Sequence, residues 1–156
     1  MKFKFLWIGK TKDPLFAEIE SRYLGRINKY FSTENVFVTD LKKRDLRQRV
    51  TQLERESQKI ESKLSMGSYI VVLDDAGKQF TSREFASFFE DLMNRGVPVI
   101  NFVVGGHLGI PEKIKNLAKL KLSLTRLTLP HEMVRMILVE QVYRAITIIK
   151  GTPYHN

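Results

Sequence analysis

YIVVL, Tyr69 to Leu73, and VINFVV, Val99 to Val104, decide the fold. Both are short runs dominated by β-branched and aromatic residues, too short for a helix. A strand with one face in water alternates apolar and polar residues. A strand covered on both faces reads as a near-continuous apolar run. Working outward, KFKFLWI (2–8), NVFVT (35–39) and LTRLTL (124–129) are expected as three further strands. The segments between them carry helical spacing. Asp13-Pro14 supplies an N-cap and a first-turn proline, and Phe16, Ile19, Tyr23, Ile27 and Tyr30 recur behind it. Leu46, Val50, Leu53, Ile60 and Leu64 form a second apolar stripe that stops at Gly67. Thr81 and Glu84 form a capping box before Phe85, Phe88, Phe89 and Leu92. Pro111 opens a short helix, and a last one runs from about His131 to Lys150, stopped by Gly151 and Pro153. Five strands alternating with five helices predict an α/β fold with a largely parallel sheet, as one domain over residues 1–156.

The last helix predicts something more. Met133, Val134, Met136, Ile137, Leu138, Val139, Val142, Ala145, Ile146, Ile148 and Ile149 leave only a narrow polar stripe around Glu140, Arg144 and Thr147. One sheet face cannot cover so much apolar surface. A second subunit is the simplest cover, so a homodimer is expected.

The chain has 156 residues, no Cys and a net charge of +9. Without Cys there are no disulfides and no thiolate chemistry. The start, MKFKFLWI, is too short and too charged for a signal peptide, and no run is long enough to span a membrane. A soluble, cytoplasmic protein is expected. Basic residues outnumber acidic ones by 15 to 9 in residues 1–65 and by 11 to 8 in the rest. A basic surface attracts polyanions, and nucleic acid is the commonest in the cytoplasm. The densest basic run is KKRDLRQR. Its Lys42, Lys43, Arg44 and Arg47 suit either phosphate contact or a solvated helix face.

In parallel α/β sheets, ligands bind beyond the carboxyl ends of the strands. Three segments fall there: LDDAG from Leu73, VGGHLG from Val104, and LPH from Leu129. Three glycines among Gly105, Gly106 and Gly109 turn the backbone sharply, as a ligand loop or as a plain strand-to-helix turn. The loop is neither a P-loop nor a dinucleotide fingerprint. Asp74 and Asp75 would point to opposite faces of a strand, which favours solvated turn carboxylates over a shared metal or an acid–base pair. His107, His131 and His155 lack zinc spacing, so no metal is expected. No G-x-S-x-G elbow is present.

Together, LDDAGK (73–78), FVVGGHLG (102–109), LSLTRLTLPHEMVR (122–135), EQVYRA (140–145) and the terminal PYH (153–155) resemble a known family. It is the group of small SPOUT-superfamily enzymes that methylate N3 of a pseudouridine in 23S ribosomal RNA of the large subunit. The resemblance covers essentially the whole chain. It implies a parallel-sheet fold with a C-terminal trefoil knot, S-adenosylmethionine as methyl donor, the ribosome as substrate and a homodimer through the last helix. Carried over by motif, the cofactor contacts are Leu73, Gly105, Gly106 and the run Thr125, Arg126, Leu127, Thr128, Leu129 and Pro130. The chain departs from the family's usual pattern at His107 and Leu108, where small or polar residues are common, and at Ile110, where Leu is usual.

Such a reaction requires alignment of sulfur, methyl and nitrogen, and removal of an imide proton. His155 is a candidate base, with Tyr154 beside it to stack on the target. His131 is a second histidine near the site, with a helix-capping role as its alternative. Water is the alternative to a side-chain base. Arg135, in the first turns of the last helix, suits an anionic substrate group. Arg144 suits phosphate, or an ion pair with Glu140 four residues earlier. The rival readings are a non-enzymatic ribosome- or RNA-binding α/β domain and a flavodoxin-like nucleotide binder.

Overall fold

β1 (Lys2–Ile8) is the spine of the sheet, with residues 3–8 all buried. Its side chains alternate between two cores, as the period of a strand requires. Phe3, Phe5 and Trp7 point into one core and Leu6 and Ile8 into the other. The coordinates are a computed structural model that describes residues 1–39, 49–106 and 108–154.

The remaining strands are β2 (Ser32–Val38), β3 (Tyr69–Lys78), β4 (Val99–Val104) and β5 (Leu120–Leu122). They form one sheet of order β2-β1-β4-β3-β5, and every pairing is parallel. The helices are α1 (Pro14–Ile27), α2 (Arg49–Glu61), α3 (Ser82–Asn94), α4 (Glu112–Leu117) and α5 (His131–Ile149). Phe85 and Phe89 of α3 and Leu138, Val139, Val142 and Ile146 of α5 join Phe3, Phe5 and Phe102 in the larger core. Ile60 of α2 and Ile114 of α4 close the smaller core on the other face. Helices therefore cover both faces of the sheet, which is why Tyr69–Leu73 of β3 and most of β4 could be apolar.

The caps form as the residue types dictate. Asp13 accepts the amide of Leu15 at 2.9 Å, and Pro14 opens α1. At α3, Glu84 accepts the Thr81 amide at 2.7 Å and Thr81 Oγ1 accepts the Glu84 amide at 3.3 Å. Gly151, at φ 63°, ends α5. The amides of Gly151 and Thr152 bond back to the carbonyls of Ile148 and Thr147, the Schellman arrangement.

One expected strand is misplaced. Residues 124–129 are not a strand. The fifth strand is Leu120–Leu122, and the chain then runs irregularly to Pro130. β5 lies at the edge of the sheet. Local bonds take over beyond it: Ser123 Oγ donates to the Thr125 carbonyl at 2.9 Å, and the Leu127 amide donates to Thr125 Oγ1 at 3.1 Å. Ser and Thr offer the backbone this alternative to a ladder.

A cleft at the carboxyl edge of the sheet

The segments that follow β3, β4 and β5 meet in a cleft of about 280 Å³. That is near the lower end of small-ligand sites, roughly 300–1,000 Å³. Its walls are built by three departures from regular structure.

The first is in β3. Leu73 and Lys78 both pair with Leu122, so residues 74–77 leave the ladder as an excursion. Asp74 Oδ1 accepts the Ala76 amide at 3.1 Å and fixes the turn. Gly77 carries the excursion back over β5. A Cβ there would lie 2.6 Å from the Lys121 carbonyl carbon, closer than real contacts allow, so only glycine fits.

The second is the glycine loop after β4. Gly109, at φ 80°, sends its amide to the Gly106 carbonyl at 3.0 Å. A Cβ on Gly105 would lie 2.8 Å from the carbonyl carbon of Gly109. The loop folds this tightly because two of its residues lack side chains. His107 lies outside the described residues.

The third is the leucine-rich loop between β5 and α5. Leu124, Leu127 and Leu129 line the cleft on this side, facing Val104, Ile110 and Val134. Leu127 is nevertheless 73 % exposed, as an apolar group at a cleft mouth would be.

Of the residues carried over by resemblance, Leu73, Gly105, Gly106, Thr125, Leu127, Thr128 and Leu129 come together here. Arg126 and Pro130 belong to the same loop but do not line the cleft. His131 lines it as the first residue of α5; the N-cap is Pro130, without a side-chain bond, so His131 does not cap the helix.

Sequence reasoning missed two side chains. Asp74 and Asp75 both line the cleft, because the excursion removes the alternation that would separate them. Asp74 is no solvated turn carboxylate. Its side chain is 10 % exposed and meets Lys115 Nζ at 2.7 Å. Lys115, together with the Ala76 amide, holds the Asp74 carboxyl below its usual range, and Asp74 raises Lys115. Position after a strand could have flagged Asp74. Nothing in the spacing of α4 marks Lys115.

The other candidates lie elsewhere. Arg135 is fully buried and does not line the cleft. It donates to the Ile8 carbonyl at 2.6 Å and to Thr11 Oγ1 at 3.1 Å, and its guanidinium lies 5.7 Å from the Trp7 ring centre. It is a strut between α5 and the end of β1. The sequence reading placed it toward an anionic substrate because a helix start favours anions, but its side chain turns inward. Arg144 pairs with Glu140 at 2.7 Å and lies 5.0 Å from the ring centre of Tyr154. Tyr154 shares a hydrogen bond of 2.8 Å with Tyr23 and donates to Glu140 at 3.2 Å. Burial and these two partners push its phenol well up. His155 lies outside the described residues, as do Lys42, Lys43, Arg44 and Arg47.

Among the described residues no group of three or more His, Cys, Asp or Glu is placed to hold a metal ion. No described helix is long and apolar enough to cross a membrane.

The family model described as "Predicted SPOUT methyltransferase" matches residues 1–155. The chain belongs to the SPOUT methyltransferase family. Two named relatives match it over their full length. A protein of Parabacteroides distasonis named ribosomal RNA large subunit methyltransferase H is 37% identical over 156 residues, covering 100% of this chain and 99% of that one. Its namesake from Streptococcus pneumoniae (strain CGSP14) is 38% identical over 161 residues, covering 100% of each. A Legionella pneumophila protein solved with bound SAM overlays 94% of this chain and 66% of its own, with a TM-score of 0.49 and 14% identity.

Proposed function

We propose that this chain transfers a methyl group from S-adenosylmethionine to N3 of a pseudouridine in 23S ribosomal RNA. The observation that carries this reading is the cleft, built by the glycine loop and the leucine loop in a chain that matches ribosomal RNA methyltransferases over its full length.

The residues present fit the cofactor. Gly105 folds its loop so closely that a side chain would be excluded, which leaves backbone at the cleft wall. Leu124, Leu127 and Leu129 offer apolar surface to a flat purine, and backbone amides and carbonyls of residues 125–130 suit its edge. Asp74 and Lys115 add an ionic wall. The cofactor supplies an activated methyl on a sulfonium. The chain must then bind it, exclude water and place the target nitrogen in line.

Two features extend the reading to the assembly. α5 buries Leu138, Val139, Val142, Ala145 and Ile146 within its own chain, but leaves Met133, Met136 and Ile137 half-buried. This apolar remainder supports a homodimer through α5. Tyr154 is anchored at Glu140, nine residues along α5 from His131 at the cleft, about 13 Å at the usual rise. The tail is read as serving the partner's cleft. There His155 would take the imide proton, while Tyr154, with its raised pKa, holds the tail in place.

The fold reading includes the trefoil knot. The chain passes from α4 on one face, through β5 at the edge, to α5 on the other face, and the connecting loop crosses the carboxyl edge of the sheet. All of 1–156 is read as one domain, because both cores share one sheet. The substrate is read as the assembled large subunit or whole ribosome in the cytoplasm, since a domain of 156 residues leaves little room for a separate recognition module.

The test is transfer of labelled methyl from S-adenosylmethionine to ribosomes lacking the modification, with the modified nucleotide mapped. Incorporation at N3 of a pseudouridine is expected. Tight ribosome binding without incorporation would favour a non-enzymatic binding domain. Calorimetric binding of FMN in preference to S-adenosylmethionine would favour a flavodoxin-like binder.

A further inference from the structure

The cleft is apolar on most sides and ionic on one. Among the described residues that line it, Asp74, Asp75 and Lys115 carry full charges. Asp75 is exposed, whereas the Asp74 and Lys115 side chains are 10% and 26% exposed and 2.7 Å apart. The fold has little need of this pair. α4 is anchored to the core by Ile114, and β3 by Val71 and Val72.

Both partners have valence to spare. A carboxylate accepts about four hydrogen bonds and an ammonium donates three. Asp74 receives the Ala76 amide and Lys115, one on each oxygen. The pair therefore presents a negative and a positive charge side by side. The complement of that surface is a zwitterion, with its ammonium on Asp74 and its carboxylate on Lys115. Four charges then alternate, and each new contact is a charge-assisted hydrogen bond.

We propose that Asp74 and Lys115 form the specificity-determining seat for the zwitterionic amino-acid end of the cofactor, with the adenosine end along the leucine loop. The proposal rests on the cofactor reading above. It gives the ligand a direction, since only one end of that molecule is doubly charged and, among the described residues, one wall of the cleft is ionic. The depressed carboxyl and the raised ammonium keep both groups charged across the neutral range.

The experiment is calorimetry on the full-length protein with two probes. S-adenosylhomocysteine has the amino-acid end; 5′-methylthioadenosine has the same nucleoside and thioether without it. The unaltered protein is expected to prefer the first by on the order of 10²-fold, the scale of two charge-assisted bonds. Lys115→Met and Asp74→Asn should each cut that preference about tenfold or more and leave 5′-methylthioadenosine affinity unchanged. Asp74→Asn keeps an oxygen for the Ala76 amide, so the turn should persist, and thermal melts check folding. Lys115→Arg should retain most of the preference. An unchanged ratio, or equal loss for both probes, would overturn the seat while leaving the cofactor reading standing. Failure of the unaltered protein to bind either probe would overturn both.

Discussion

Gly105 is the residue on which the cleft turns. A methyl group there would meet the Gly109 backbone at 2.8 Å, and backbone cannot rotate away as a side-chain tip can. Gly105→Ala should therefore open the loop and weaken cofactor binding by on the order of tenfold or more, measurable by calorimetry, with secondary structure retained by circular dichroism. Arg135 makes the opposite case, a charge that serves the fold. Arg135→Met keeps the bulk but leaves the Ile8 carbonyl and Thr11 without their donor, beside the buried Glu20 that Thr11 also bonds. It should cost about 2–4 kcal/mol in urea unfolding, on the scale of lost bonds to a charged donor. Neither Arg135 nor Asp74 was legible in its true role from sequence. A side chain's direction depends on what packs against it, and Asp74 turns into the cleft only because four residues leave the ladder. The glycines were legible because the lack of a side chain is visible in the sequence itself.

At the scale of elements, local chemistry was a good guide where it acted alone. Asp13-Pro14, the Thr81–Glu84 box and Gly151 each fixed a helix end within a residue or so, since each cap is decided by its own neighbours. The fifth strand was not decided that way. LTRLTL has the apolar and β-branched content of a strand but follows the short edge strand β5, and Ser123 and Thr125 engage the backbone instead. The same limit applied to α5. Its apolar circumference pointed to cover on nearly all sides, and one chain covers only part of it. Ile137→Glu should yield monomers or aggregates in sedimentation, while a well-folded dimer of that variant would remove α5 from the interface. A charge set into a subunit contact is costly because it is buried without a partner.

At the scale of the molecule, two long-range expectations follow. Binding to ribosomes should weaken steeply with salt, and neutralising Lys42, Lys43, Arg44 and Arg47 should flatten that slope, because each phosphate contact releases a counterion. An unchanged slope would exclude the basic run from the RNA surface. The tail is the second. Truncation after Thr152 should preserve folding, dimerisation and cofactor binding yet slow transfer by on the order of 10²-fold, the usual scale of a positioned proton acceptor. His155→Ala should abolish the dependence of rate on pH near neutrality; a slower rate with that dependence intact would give His155 a positioning role instead.

The order of the chain also gives the site a history. Until α5 is made, Phe3, Phe5 and Phe102 lack part of their cover, since Leu138, Val139, Val142 and Ile146 complete that core. The leucine loop and the apolar remainder of α5 lie in one stretch, residues 123–149. While that stretch is unfolded, the chain therefore holds a nearly complete sheet with one greasy face open, the kind of species that aggregates. Cover for the larger core and the leucine side of the cleft both depend on this one stretch, so a chain cut after Leu122 should be sticky and inert, read as dye binding to exposed apolar surface and as loss of cofactor binding.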